Sequence, residues 1–264
     1  MLKQGRVLIV AGSDSGGGAG IQADLKTVSA LGGFAMTAIT ALTAQNTLGV
    51  FGIHPVPPEF IIRQMRVVLD DIGADAIKIG MLGSAEIADA VADFLETIDT
   101  IPVVLDPVMI STSGSTLLDA PGAAVMRQRL LPKCLLLTPN LREAEALTGL
   151  KVDGLAAMER AADRLLGLGP RNILLKGGHL DGDALIDLLI GQDGRSEFRH
   201  PRIDTRHTHG TGCTLASAVA AGLAHGLALH QAVLRAHDYV QRAIRNAPGL
   251  GQGNGPLGLG AVPT

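Results

Sequence analysis

A short run near the end of the chain, Gly210-Thr211-Gly212-Cys213, has the residue types of an anion-binding turn. Leu215, Val219 and Leu223 follow it at helical spacing, so the run stands where a helix begins. The first N–H groups of a helix have no internal partner and lie at the positive end of its dipole. Glycines let further N–H groups converge on one point, which predicts a phosphate site. The alternative is an ordinary loop in which threonine caps the helix.

Cys213 has two interpretations. A helix N-terminus can lower the pKa of a thiol, which would make Cys213 a base or a nucleophile, although a phosphate in the same turn would oppose that shift. Cys213 can equally be a small buried residue, as cysteine commonly is. Cys134 lies inside an apolar run and is predicted to be of this second kind.

Further polar side chains follow apolar runs that are typical of buried strands. Lys176 ends one run and needs an anionic partner there, for which a phosphate is suitable. Asp106 ends another run, and its carboxylate is either a metal or water ligand or a cap for the next loop. Asn140 and Glu143 have the spacing of a capping box, but they can equally offer two oxygens to a hydrated Mg²⁺.

The glycine-rich segment 12–20 follows the first apolar run. GAGIQA at 18–23, which starts inside this segment, matches the dinucleotide-binding pattern G-x-G-x-x-A. It begins several residues after the strand, however, and no acidic residue follows about 20 positions later. Both points disfavour a dinucleotide site. The glycines suit a small planar ligand, with Asp24 and Gln45 as hydrogen-bonding groups. Asp24 is alternatively only a first-turn acid of a helix. His207 and His209 lack the neighbouring Cys or His that a metal site would need.

An alternation of apolar runs and helical patterns must position these residues. The near-continuous apolar runs, predicted to be strands buried on both faces, are 6–12, 34–45, 75–81, 101–107, 134–140 and 171–178. The segments of helical period are 20–32, 59–73, 84–98, 212–225 and 228–246. The alternation predicts an α/β fold with a doubly wound, mostly parallel sheet flanked by helices. Residues 184–190 and 195–203 are predicted to form an antiparallel hairpin at one edge.

Ligands of such sheets bind outside the carboxyl ends of the strands. Polar or glycine-rich residues follow each of the six apolar runs, in the order GSDSGGGAG, TAQN, GM, DP, TPN and KGG. Their regular placement brings side chains from six strands to one edge of the sheet. It is the strongest physical sign of an active site in this sequence.

The composition excludes several classes of function. Of 264 residues, 47% are hydrophobic and 18% charged, which allows a substantial core and argues against disorder. A net charge of -3, no Trp and one Tyr argue against nucleic-acid binding. Apolar stretches fall short of the roughly 18 residues of a membrane span. Two Cys and no secretion signal predict a cytoplasmic protein. With no linker or repeat, residues 1–264 are expected to be one domain.

Several motifs together resemble a known family. HGTGC at 209–213, KGG at 176–178, TPN-L-x-E at 138–143 and VLDPVM at 104–109 resemble the ribokinase-like ATP-dependent small-molecule kinases. More narrowly, AGSDSGGGAGIQADLKT at 11–27, TALTAQNT at 40–47 and IKIGML at 77–82 look like the hydroxymethylpyrimidine/phosphomethylpyrimidine kinases of thiamine biosynthesis. The resemblance extends from residue 6 to GQGNGP at 251–256, and its long N-terminal motif is highly specific.

The resemblance implies a ribokinase-like fold and an enzyme that uses ATP to phosphorylate 4-amino-5-hydroxymethyl-2-methylpyrimidine, and then its monophosphate to the diphosphate. It implies a pyrimidine pocket lined by Gly12, Asp24, Gln45, Met81 and Val108. It implies that Mg²⁺ is held by Asn140, Glu143 and Asp106, and that the ATP phosphates are contacted by Lys176, Asn140 and Thr211. Gly210, Thr211, Gly212 and Cys213 would form the anion hole for charge that develops on the transferred phosphoryl group.

Cys213 departs from most ribokinase-like sugar kinases, which carry Asp as the last residue of this hole. The pyrimidine kinases and some pyridoxal kinases have the cysteine. A loose phosphoryl-transfer transition state needs little help from a base, so positioning and charge dominate. We predict that Cys213→Ala retains the fold and loses most of the turnover.

Two alternatives stay open at this point. One is a pyridoxine or pyridoxal kinase of the same superfamily, whose substrate is also a flat nitrogen heterocycle with a hydroxymethyl group. The other is a silent ligand-binding module, which would be expected to lose Lys176, Glu143 or Cys213; all three are present. A homodimer is expected because dimers are common in such folds. The Ser-, Thr- and Gly-rich segment 108–118 is a candidate lid.

Overall fold

The structure is a computed structural model that describes residues 4–98, 100–111, 114, 116–178, 184–192 and 194–260. A twisted sheet runs through this part of the chain in the order β3-β2-β1-β4-β5-β6-β7-β8-β9. Its strands are β1 (Arg6–Asp14), β2 (Phe34–Asn46), β3 (Gly49–Pro55), β4 (Ala76–Ile79), β5 (Val103–Leu105), β6 (Leu136–Leu137), β7 (Asn172–Leu175), β8 (Ala184–Gly191) and β9 (Gly194–Pro201).

The six strands from β2 to β7 in the sheet are parallel to one another, while β3, β8 and β9 are antiparallel to their neighbours. This confirms the predicted α/β fold with a mostly parallel sheet and an antiparallel edge hairpin, formed by β8 and β9. Each of the six predicted apolar runs overlaps one of the parallel strands, and β1 and β2 extend beyond their runs by two residues and one residue.

Helices cover both faces of the sheet. They are α1 (Gly20–Ala30), α2 (Pro58–Asp71), α3 (Ala85–Leu95), α4 (Ala120–Val125), α5 (Leu141–Thr148), α6 (Leu155–Leu166), α7 (Thr211–Ala224) and α8 (Leu229–Arg245). In β1, Leu8 and Val10 belong to the core that contains buried residues of α2, α3, α5 and α6, while Val7 and Ile9 belong to the core that contains those of α1, α7 and α8. Because the central strands are buried on both faces, their sequences are apolar without alternation. Among the described residues, no helix is both long and apolar enough to cross a membrane.

The outer end of β2 and the whole of β3 lie beyond these two cores. β3 pairs antiparallel with the second half of β2 and is mostly exposed. The prediction that residues 34–45 are buried on both faces is therefore correct only for the middle of that run, since Phe34 is 45% and Leu42 is 48% exposed. β3 could not be predicted from the sequence, because an edge strand outside the core carries no burial pattern.

Candidate active site

A cavity of about 160 Å³ opens at the carboxyl ends of the central strands. Its wall contains residues that end or follow β1, β2, β4, β5 and β7, together with the start of α7. The predicted site residues on this wall are Gly12, Gln45, Met81, Asp106, Val108, Asn140, Glu143, Lys176, Gly210, Thr211, Gly212 and Cys213. The sheet thus brings residues from both ends of the chain together where the sequence pattern predicted a site.

The turn before α7 is shaped for close backbone approach. Gly210 has a φ of +87°, a conformation that favours glycine, and a Cβ there would lie 1.9 Å from the carbonyl oxygen of Gly18. The hydroxyl of Thr211 donates to the carbonyl oxygen of Thr208 at 2.7 Å, so it does not cap the helix. The alternative in which threonine caps the helix is therefore wrong. The residues of this helix start line the cavity. The Thr211 N–H donates to the Thr208 carbonyl oxygen at 3.2 Å, which leaves the N–H groups of Gly212 and Cys213, in the first turn of the helix, to face an anion.

Lys176 lies directly opposite this turn. A Cβ on Gly212 would be 3.2 Å from Lys176 Nζ, and Nζ donates to Asp106 Oδ1 at 3.0 Å. The lysine at the end of β7 therefore has a carboxylate partner within the protein. Burial alone would lower the pKa of Lys176, but Asp106 and Glu143 raise it above its ordinary value. The ammonium group consequently stays charged at neutral pH beside the amides of the turn.

Asn140 and Glu143 form the predicted capping box at the start of α5. The Glu143 N–H donates to Asn140 Oδ1 at 2.9 Å, and the Asn140 N–H donates to Glu143 Oε2 at 2.7 Å. Burial raises the pKa of Glu143 to about 7; Lys176 and the Asn140 N–H oppose this rise, and Asp106 contributes to it. The carboxylates of Asp106 and Glu143 thus lie near a single ammonium group, that of Lys176. A second cation bound near them would be stabilised electrostatically.

This donor set fits a hydrated Mg²⁺. No cluster of three or more His, Cys, Asp or Glu side chains that could hold a metal occurs among the described residues. Mg²⁺ commonly binds through one or two carboxylates and keeps its waters and substrate phosphates as the remaining ligands. Asp106 and Glu143 supply carboxylates of that kind on one cavity wall.

The expectation that Asp24 lines the pyrimidine pocket is wrong. Its side chain is fully buried in α1, below the cavity wall, where both carboxylate oxygens accept from Lys78 Nζ at 2.9 and 3.0 Å. Ser217 Oγ donates to the same carboxylate at 2.6 Å. Asp24 therefore holds Lys78, and it is Lys78 that reaches the cavity wall. Burial alone would lower the pKa of Lys78, but the carboxylates of Asp24 and Asp106 raise it above its ordinary value.

The thiol of Cys213 does not have a lowered pKa. Burial raises its pKa to about 12, against the opposing effect of Lys78. The thiol is therefore neutral at physiological pH in the free protein. Of the two interpretations of Cys213, a preformed thiolate is thus the one that the structure contradicts. Cys134 is buried, and its Sγ donates to the Leu130 carbonyl oxygen at 3.1 Å, as expected of a packing residue.

A second cavity, of about 540 Å³, adjoins the first. The residues common to both walls are Ile110, Ser111, Asn140, Glu143, Thr208 and Thr211. The two cavities therefore meet at the start of α7 and the start of α5. The candidate lid at 108–118 lies partly outside the described residues, since 112, 113 and 115 are not among them.

Asp187, on β8, supports the loop that carries Lys176. Its Oδ1 accepts from the Gly177 N–H at 2.8 Å, and its Oδ2 lies 3.6 Å from His237 Nε2. Burial raises the pKa of Asp187 to about 6, although Gly177 and Lys176 oppose this. Burial lowers the pKa of His237 to about 3, and its buried Nε2 has no hydrogen-bond partner among the described residues.

We expect Asp187→Asn to stabilise the protein at pH 8 by about 2 kcal/mol. The folded pKa of Asp187 lies above its unfolded value, so wild-type stability falls as pH rises from about 4 to about 6. The amide keeps an oxygen for Gly177, adds a donor toward His237 and cannot ionise. Urea denaturation of both proteins at pH 4 and pH 8 measures the difference, which should be small at pH 4. A variant less stable than wild type at pH 8 would contradict this.

Three residues on the cavity wall were not selected from the sequence as site residues. Asp14 lies within the glycine-rich loop, Lys78 interrupts the apolar run of β4, and the sequence suggested His209 only as a possible metal ligand. Of the three, Lys78 had the clearest sequence signal of a special role, because a lysine inside a strand of four buried residues needs a carboxylate partner. Burial of Asp14 could not be read from a loop sequence.

Comparison with known proteins identifies the family of this chain. The family model described as phosphomethylpyrimidine kinase matches residues 14–258. The chain belongs to the phosphomethylpyrimidine kinase family. The family resemblance inferred from the motifs is confirmed, and with it the enzyme class.

Relatives of this phosphomethylpyrimidine kinase family include proteins of two lengths. A hydroxymethylpyrimidine/phosphomethylpyrimidine kinase of Streptomyces coelicolor is 52% identical over 254 residues, which cover 96% of this chain and 94% of the relative. A thiamine biosynthesis bifunctional protein of Geobacter sulfurreducens is 51% identical over 254 residues. The match covers 96% of this chain but only 52% of that protein, so the chain spans about half of its length.

Solved structures show the same fold. The pyridoxal kinase of Staphylococcus aureus, in complex with AMP-PCP and pyridoxal, superposes with a TM-score of 0.89 at 35% identity. The alignment covers 98% of this chain and 94% of that one. The identity with the Streptomyces pyrimidine kinase is higher, which favours the pyrimidine kinases over the pyridoxal kinases as the nearer group.

Proposed function

We propose that the protein transfers the γ-phosphoryl group of ATP to 4-amino-5-hydroxymethyl-2-methylpyrimidine, and then phosphorylates the monophosphate to the diphosphate. The observation that carries this proposal is the junction of the two cavities at the start of α7. The smaller cavity suits a compact heterocycle and the larger one suits a nucleotide. An alcohol and a γ-phosphate placed on either side would meet at the amides and Lys176.

Each wall then has a role in the reaction. In the smaller cavity, Gln45 can donate to and accept from a ring nitrogen and its amino group, while Met81 packs on the ring beside Gly12 and Val108. At the junction, Lys176 and the amides of Gly212 and Cys213 stabilise charge on the migrating phosphoryl group. Asn140 and Thr211 lie on both walls and contact the nucleotide phosphates.

Asp106 and Glu143 are the residues that would hold Mg²⁺ and its waters, with Asn140 beside them. When bound, the ion neutralises charge on the nucleotide phosphates. The protein keeps both carboxylates near Lys176, but only Asp106 forms an ion pair with it. Glu143 instead accepts from the Asn140 N–H. Glu143, whose pKa is raised by burial, becomes a full carboxylate when a cation lies beside it.

We expect Cys213→Ala to fold and to lose most of its turnover, by the same factor at pH 7 and pH 9. The Gly20 N–H interacts with the Cys213 sulfur, and a methyl group would remove that partner from the wall of the smaller cavity. Because the thiol pKa is about 12, its protonation does not change over this range. Measurement of kcat at both pH values tests this; a loss that grows with pH would indicate a thiolate base, and near-normal turnover would assign Cys213 to packing.

The function is tested by ADP release with four acceptors: the pyrimidine alcohol, its monophosphate, pyridoxine, and none. The proposal predicts acceptor-dependent ADP release with the first two, and a higher kcat/KM for the pyrimidine alcohol than for pyridoxine. Turnover of pyridoxine alone would make the protein a pyridoxine kinase. No acceptor-dependent release at all would leave a silent ligand-binding module.

We propose that the protein is a homodimer joined through β3. This strand is at the edge of the sheet, and the side chains exposed around it are large and apolar: Leu42, Leu48, Phe51 and Ile53. An edge strand with such side chains favours pairing with another chain. We expect wild type to sediment as a dimer and Phe51→Lys as a monomer, with Leu234→Lys, on the exposed face of α8, as the matched control that stays dimeric. A monomeric wild type would contradict this.

A further inference from the structure

Asp14, His209 and Gln45 form a chain of polar contacts on the wall of the smaller cavity. Asp14 is 3% exposed, and its carboxylate accepts from three backbone N–H groups within residues 16–19 at 2.8 to 3.0 Å. His209 Nε2 lies 3.0 Å from Asp14 Oδ2 and 3.2 Å from Gln45 Nε2. One ring nitrogen therefore contacts both the buried carboxylate and the amide that faces the cavity.

The Asp14 contact fixes where the hydrogen of His209 lies. Burial alone would raise the pKa of Asp14, but hydrogen bonds from His209 and the backbone lower it, so the group is a carboxylate at neutral pH. A carboxylate can only accept hydrogen bonds. His209 Nε2 must therefore carry a hydrogen, and it cannot accept one from Gln45.

The orientation of the Gln45 amide follows from its two neighbours. Its NH₂ group cannot face His209 Nε2, because two donors would then oppose each other. Its other terminal atom, Oε1, lies 3.2 Å from Thr43 Oγ1. Thr43 Oγ1 has a single hydrogen and donates it to the Ser13 carbonyl oxygen at 2.9 Å. The oxygen and nitrogen of an amide are distinguished by their hydrogen-bond partners. Both neighbours require the amide oxygen toward His209, where it shares the single Nε2–H with Asp14, and the NH₂ group toward Thr43.

The imidazole packs tightly against the glycine-rich loop. A Cβ on Gly18 would lie 2.7 Å from His209 Cδ2 and 3.1 Å from Pro256 Cβ, so the ring packs where only glycine fits. The backbone N–H of His209 donates to the Gly255 carbonyl oxygen at 3.1 Å. The glycine-rich loop thus contacts the ring, the C-terminal segment holds the backbone of the same residue, and the Gln45 amide has a well-placed partner.

We propose that His209, held by Asp14, is a positioning residue that orients the Gln45 amide and thereby sets the heterocycle specificity of the smaller cavity. The inference rests on the proposed function, since it takes the heterocycle to bind in that cavity. The Gln45 amide then presents its NH₂ donor and its carbonyl acceptor to the cavity at fixed positions. An aminopyrimidine has an accepting ring nitrogen beside a donating amino group, so in one orientation it can form both hydrogen bonds. A heterocycle without the amino group can form only one of them.

The test compares His209→Leu, which removes the donor, with His209→Gln, which restores an N–H. We expect His209→Leu to raise KM for the pyrimidine alcohol about tenfold, with KM for ATP unchanged, and to lower the preference over pyridoxine by a similar factor. His209→Gln should recover most of the preference. His207→Leu is the matched control, because His207 is two residues away and lines neither cavity. An unchanged preference in His209→Leu would overturn the proposal.

Two further measurements separate positioning from general damage. Because His209 acts through Gln45, the double variant with Gln45→Ala should lose no more affinity for the pyrimidine than Gln45→Ala alone; additive losses would overturn the proposal. In wild type, ¹⁵N NMR of labelled histidine should show Nε2 of His209 protonated at pH 8, and an unprotonated Nε2 would also overturn it. Wild-type ADP release in the same assay reports separately on the proposed function.

Discussion

Replacing Gly212 with alanine should lower kcat by about 10² to 10³ while leaving the protein as stable as wild type or slightly more so. The new methyl group would lie 3.2 Å from Lys176 Nζ and 3.5 Å from Asp106 Oδ2, in the space that an oxygen of the migrating phosphoryl group must occupy. Alanine in the first turn of α7 costs the helix nothing, since it orders more readily than glycine. Steady-state kcat and the thermal midpoint measure the two effects.

Gly226→Ala is the matched control for this variant. Gly226 lies just beyond the other end of α7, with a φ of +82° and open space where a Cβ would lie. The left-handed conformation makes alanine cost about 1 kcal/mol there, so this variant should be less stable than wild type and fully active. Together the two variants separate loss of stability from loss of the anion site. A Gly212→Ala protein with kcat within about threefold of wild type would place the phosphoryl group elsewhere.

Replacing Lys176 with methionine should lower kcat by about 10³ with little change in KM for the pyrimidine alcohol. The pKa of Lys176 is raised by Asp106 and Glu143, so a full positive charge is present at the cavity junction and is lost in this variant. Methionine keeps the length and the packing of the side chain. Steady-state kinetics with both substrates varied would measure the loss.

The Lys176→Met protein will also be less stable, because it leaves Asp106 buried without its partner, a change that costs about 3 to 5 kcal/mol. The double variant Asp106→Asn/Lys176→Met removes both charges and serves as the control for stability. We expect it to regain much of the thermal midpoint and none of the activity. Recovery of activity with stability would show that Lys176 acts only as a structural ion pair.

The order of the elements could be predicted from the sequence because the central strands are buried on both faces. A strand such as β5 needs an apolar residue at every position, and a helix such as α3 needs apolar residues on one face, so the two patterns differ. β3, α4 and α6 were not predicted. β3 has no buried face, and α4 has only six residues, too few to show a helical period. α6 does carry its buried residues at helical spacing, so its sequence pattern was sufficient to predict it.

The position of the site could be predicted from the sequence, but the pairings within it could not. Residues at the carboxyl ends of parallel strands must meet, which placed Asp106, Lys176 and Gln45 on one wall. The distances between side chains depend on register and helix packing, which a single sequence does not reveal. For this reason the sequence suggested that Asp24 binds the ligand, whereas in the structure its carboxylate forms an ion pair with Lys78.

The most direct test of the anion site is a crystal structure with ADP, Mg²⁺, aluminium fluoride and the pyrimidine alcohol, a complex that mimics the phosphoryl group in transfer. We expect the fluoride ligands about 2.7 to 3.1 Å from the amide nitrogens of Gly212 and Cys213 and from Lys176 Nζ. We also expect the hydroxymethyl oxygen in line on the side of the smaller cavity. Aluminium fluoride bound away from residues 210–213 would contradict the central claim.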